Sequence, residues 1–178
     1  MPITIAMIDK TILNIFGAEL NCTIDEDILV FGFIANEYKG QCCIQLHGPA
    51  GEDPAECVAV TIRFCDDVGE MYNFADKPIE LLDRVSNEID VSLMWGTTAV
   101  LQLPDNDTEI ILYRTIRLYE EELKAALKGG GASELHWTLT HLYAEFEMVA
   151  PIVANHAATG KTLPSSIRHL LGTPASTC

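Results

Sequence analysis

The chain has 178 residues, 48% of them hydrophobic, and 26 acidic against 11 basic side chains give it a formal charge of −15. That length supports one domain with a substantial core, and no shift in composition divides it. The acidic excess repels polyanions, so nucleic acid is excluded as an expected partner, and no apolar run reaches the roughly 18 residues needed to cross a bilayer.

In chain order, Ile5, Ile8, Ile12, Ile15 and Phe16 recur at three- and four-residue spacing, which predicts an amphipathic first helix over 5–20. Asp9 and Lys10 interrupt this stretch and no basic segment precedes it, so it reads as a mature helix and not a secretory signal. Ile28 to Ile34 is a continuous branched and aromatic run, read as a strand buried on both faces. In the next strand, Gly40 to His47, Cys42, Ile44 and Leu46 alternate with polar or smaller neighbours. A Pro- and Gly-rich loop leads to a third strand, Cys57 to Phe64.

Pro78 fits a first helical turn, with Asp76 as its expected N-cap, and Leu81, Leu82, Val85 and Ile89 form the apolar stripe of a second helix. Thr98 to Leu103 and Glu109 to Leu118 read as a hairpin around Pro104-Asp105-Asn106-Asp107. The Gly129-Gly130-Gly131 run separates a short helix from a long one capped by Ser133, with a kink expected at Pro151. The fold class is therefore α+β: a five-stranded antiparallel sheet in the order α-β-β-β-α-β-β-α, over a single domain 1–160 with a flexible tail 161–178.

Motifs for chemistry are weak. Thr159-Gly160-Lys161-Thr162 echoes the end of a phosphate loop, but Asn155 stands where its first glycine belongs and a helix, not a strand, precedes it. No C-x-x-C or H-E-x-x-H occurs, and adjacent Cys42 and Cys43 point to opposite faces of a strand. Asp105, Asp107 and Glu109 begin like a calcium loop that lacks its later glycine and glutamate. His141 and Glu145, one turn apart, read as a solvated pair. No metal, cofactor or catalytic residue is expected. The six cysteines, Cys22, Cys42, Cys43, Cys57, Cys65 and Cys178, are expected to be reduced thiols in a cytoplasmic protein.

The order of elements, with small size and acidity, resembles the class I type III secretion chaperones over about residues 5 to 150. That resemblance implies a homodimer that binds the N-terminal segment of a secreted effector as extended chain. Client contacts would fall to Ile8, Ile12, Phe16, Phe31, Phe33 and Ile44. The dimer seam would fall to Leu81, Leu82, Val85 and Ile89, with Ile111, Leu112 and Tyr113 beside them. The YbjN-like sensory regulators share the order, and Asn87-Glu88 and the closing AEFEMVAPIV are similar to theirs, which implies a regulatory binding protein outside secretion. An unassigned small enzyme is the third reading.

Overall fold

The structure is a computed structural model that describes residues 3–16, 20, 22–49, 55–90, 93–104 and 107–159. Among these, one antiparallel sheet of six strands is backed by four helices. The strands are β1 (Thr23–Asp25), β2 (Ile28–Ala35), β3 (Tyr38–Pro49), β4 (Glu56–Cys65), β5 (Thr97–Gln102) and β6 (Thr108–Leu118), in the spatial order β1-β2-β3-β4-β6-β5. The helices are α1 (Ile5–Phe16), α2 (Ile79–Asp90), α3 (Glu120–Leu127) and α4 (Glu134–Thr159).

The α+β class and the antiparallel sheet agree with the sequence expectation. One strand was missed: Thr23–Asp25 is too short and polar to show a period, yet it closes a two-residue hairpin onto β2 through Glu26, whose φ is 44°. The predicted tail 161–178 lies outside the described residues, as does Asp105.

Ladder register sorts the sheet into two faces. Phe31, Cys42, Ile62 and Leu112 are successive partners on one side, as are Leu29, Ile44 and Val60, and all are buried beneath the helices. Phe146 of α4 stacks on Phe64 with centroids 5.0 Å apart, and Phe16 at the end of α1 meets Phe31 at 6.0 Å. Side chains alternate across a strand, so the residues between these face the other way, where no described helix lies. β2 is therefore buried on one face, not both: Leu29 and Phe31 are covered while Ile34 is 62% exposed.

Local signals fix the helix ends. Helix α3 closes through Gly129 (φ 81°), with the Gly129 amide donating to Ala126 O at 3.0 Å and the Gly130 amide to Ala125 O at 2.8 Å, a Schellman pair. Ser133 then caps α4 as expected, its Oγ accepting the His136 amide at 3.2 Å. Helix α4 continues through Pro151 to Thr159. Asp76 does not cap α2: its carboxylate meets Lys77 at 3.0 Å, and the helix begins two residues later, where the Pro78 carbonyl accepts the Leu81 amide at 3.0 Å and the Leu82 amide at 3.3 Å.

Candidate polypeptide-binding surface

Burial redistributes the residues expected to contact a client. Ile8, Ile12, Phe31 and Ile44 are all at most 3% exposed and belong to the core. Ile8 and Ile12 sit on the face that α1 turns toward the sheet, and Phe31 and Ile44 on the sheet face that meets it, so the stripe that makes α1 amphipathic is consumed by the monomer. Phe16 and Phe33 alone of that group are partly exposed; Phe33 packs edge-on to Phe146 at 5.0 Å and against Tyr143 at 5.5 Å.

The expected dimer seam separates in the same way. Leu82, Val85 and Ile89 are buried between α2 and the sheet, with Leu81 half-buried at their margin. Leu112 lies under the helices and is fully buried, whereas Ile111 and Tyr113, at odd positions of β6, point to the opposite face. The α2 residues and Ile111 with Tyr113 therefore cannot form one continuous surface. Sequence spacing found both stripes, but it carries no information on which side of the sheet a helix lands.

Three features remain at the surface. The first is the edge of β2. β1 pairs only with Ile28 to Val30, so from Phe31 to Ala35 no described strand flanks β2 on that side. The Ile34 carbonyl accepts the Tyr143 hydroxyl at 3.0 Å, which shows that its backbone points away from β3. Backbone groups alternate along an antiparallel ladder, so those of Gly32 point outward too. Beside them lies a notch of about 320 Å³ on the bare face, lined by Gly32, Ile34, Lys39, Gln41, Cys65 and Gly69 among others. A Cβ on Gly32 would approach nothing nearer than the Gly40 carbonyl at 4.0 Å, so the missing side chain opens the notch.

The opposite edge is less available. At the start of β5, Asp90 accepts both the Thr98 amide and, at 2.9 Å, the Thr98 hydroxyl. That carboxylate caps the outward backbone where an added strand would pair.

The second feature is the centre of the bare face. Arg63 Nε donates to Glu109 Oε2 at 2.7 Å, a second nitrogen reaches Oε1, and Nη1 reaches Gln41 Oε1 at 3.3 Å, forming a polar bridge across β3, β4 and β6. The carboxylate bond holds the Arg63 guanidinium above its usual proton affinity. Burial raises the thiol pKa of Cys42, Cys43 and Cys65, so none of the three is primed as a nucleophile.

The third is an aromatic stack on α4. Trp95 lies parallel to His141 at 4.2 Å, Trp137 covers His141 at 6.0 Å, and Arg114 sits 4.9 Å over Trp95. Glu145 does not pair with His141 as its spacing suggested. It is 4% exposed and accepts the amides of Met94 and Trp95 at 2.7 and 2.6 Å and of Gly96 at 2.7 Å. The acidic turn is likewise structural: Asp107 bonds Asn73, and Glu109 pairs with Arg63. Among the described residues no group of three metal-binding side chains converges, and no helix is long and apolar enough to cross a membrane.

Comparison with known proteins finds no matching family model, no matching curated protein and no matching solved structure.

Proposed function

We propose that this chain is a non-catalytic binding protein of the secretion-chaperone kind, which holds an extended segment of another polypeptide against the open edge of β2. One observation carries the reading: among the described residues no strand flanks the backbone of Gly32 and Ile34, which runs beside an apolar notch on the same strand. An added strand would bond to the Gly32 backbone and the Ile34 amide, the Ile34 carbonyl being held by Tyr143, and one of its apolar side chains would fill the notch, the two contributions that characterise strand addition. The client class, as the resemblance to the class I type III secretion chaperones implies it, is the N-terminal segment of a secreted effector.

The test uses the absent side chain of Gly32. Gly32→Val fills the notch from a strand position with open space above it, so folding is expected to hold or improve, since glycine weakens a strand interior. Binding of a fluorescein-labelled, permanently unfolded polypeptide rich in alternating branched residues is followed by anisotropy. The expected result is at least about a tenfold loss of affinity, roughly 1.4 kcal/mol, with an unchanged urea midpoint. A Gly32→Val protein that binds as the original does would refute the site. An original chain that binds no such polypeptide at about 100 µM would refute the function, since even that weak affinity corresponds to about 5.5 kcal/mol.

A further inference from the structure

Charge is unevenly placed on this molecule. On the bare face the strands contribute Lys39, Arg63 and Arg117 against Asp25 and Glu109, so the acidic excess of a chain with charge −15 lies on the loops and helices. Three of those carboxylates gather at one end of the open edge of β2. Glu37 stands in the turn after Ala35, and Asp67 and Glu70 belong to the loop whose Gly69 walls the notch. All three are exposed, and among the described residues none pairs with a cation. Lys39 also lines the notch, and its ammonium donates to the Asp67 carbonyl. Asp66 differs from its neighbours: its Oδ1 accepts the amides of Val68, Gly69 and Glu70 at 3.0, 2.9 and 2.9 Å, which holds the loop in shape. At the other end of the edge, Thr23 of β1 pairs with Val30, and the acidic turn Asp25 to Asp27 begins about 7 Å beyond that pair.

Resting on the strand addition proposed above, we infer that the client carries a basic residue four positions from the side chain that fills the notch, on the side that runs toward Ala35. In an added strand alternate residues face the same way, about 6.6 Å apart. With one apolar side chain in the space over Gly32, the next on that face meets Ile34, which is 62% exposed and pairs best with a second apolar side chain. The one after that lies about 13 Å from the first, level with the Asn36-Glu37 turn. A lysine or arginine there stands beside Glu37, with Asp67 and Glu70 across the notch, whereas an acidic residue at the same place is repelled. The client pattern is therefore apolar, any, apolar, any, basic, read outward from Gly32 toward the turn.

Short fluorescein-labelled peptides with blocked ends and a single leucine in a threonine-rich background test this by anisotropy. They differ only at the positions four before and four after the leucine, which carry glutamine at both or lysine at one. At about 0.01 M ionic strength one lysine peptide is expected to bind about fivefold tighter than the glutamine peptide and the other less than about twofold tighter. Which of the two gains reads the direction of the added strand. The gain should vanish near 1 M salt, where the screening length is about 3 Å. Glu37→Gln, Asp67→Asn and Glu70→Gln together should abolish it, while Glu80→Gln, Asp83→Asn and Glu121→Gln, at three exposed carboxylates of α2 and α3, should leave it. Gly32→Val should weaken every peptide. Equal gains from both lysine peptides, or a gain lost equally in the two triple variants, would reflect net charge alone and overturn the inference. So would a glutamine peptide that loses affinity in Gly32→Val yet binds the original chain as tightly as either lysine peptide, an outcome that leaves strand addition standing. If no peptide binds at about 1 mM, or Gly32→Val changes nothing, strand addition itself fails and the basic position with it.

Discussion

Glu145 and Gly96 form one contact that neither residue could make with a different partner. The buried carboxylate collects three consecutive amides, and Gly96 fits beneath it only because it has no side chain: a Cβ there would stand 2.6 Å from Leu112 Cδ1 and 2.7 Å from Leu142 Cδ2. Glu145→Gln keeps one acceptor but turns an amide donor toward other donors, so a loss of about 2–3 kcal/mol is expected from the urea midpoint. Gly96→Ala should cost about 1–3 kcal/mol by overpacking, read the same way. The buried thiols make a pH prediction. Burial raises the pKa of Cys42 above the ordinary 9.0, so the folded chain keeps a proton that the unfolded chain gives up. Stability from this source is fully present below pH 9.0 and is lost as pH rises above it. Urea midpoints measured from pH 7 to pH 10 should fall at the alkaline end, and Cys42→Ala should flatten that fall.

Elements bounded by local chemistry were the legible ones. The glycine run was expected to end a helix, and the Schellman pair at Gly129 and Gly130 is how it does so; Gly129→Ala forces a φ of 81° on an L-residue and should cost about 1 kcal/mol. Ser133→Ala should cost a similar amount, about 1 kcal/mol, by uncapping α4, and loss of helical ellipticity on heating checks both. Strands β3, β4 and β6 were legible for the same reason, since a one-sided core imposes period two. Asp76 misled because the helix starts later than its spacing suggested: the Pro78 carbonyl accepts the first intrahelical amides, which puts the N-cap position at Pro78, and the aspartate pairs with Lys77. The partners of Glu145 were not legible, because they lie 49 to 51 residues away and the backbone groups it binds carry no sequence signature.

At the scale of the molecule, the sequence supplied the apolar surface but not its distribution between core and exterior. Ile8, Ile12, Phe31 and Ile44 looked like surplus because an apolar stripe reads identically whether it meets a sheet or a client. Only the stacking of all described helices on one face decides for the sheet. What that stacking leaves is a sheet face over which no described helix lies and, from Phe31 to Ala35, an edge beside which no described strand lies. The helical side and loops carry the acidic excess, so raising ionic strength from about 0.01 M to about 0.15 M, where the screening length falls from about 30 to 8 Å, is expected to raise the melting temperature.

The chain contains two tryptophans, and both flank the same imidazole where residues 93–96 dock on α4. Its intrinsic emission is therefore a local gauge: it reports the release of that segment, while far-ultraviolet dichroism reports the sheet and helices. Coincident denaturation curves would mean that this docked segment melts with the fold, and an earlier fluorescence transition would measure the stability of its contact with α4 alone, with no label added.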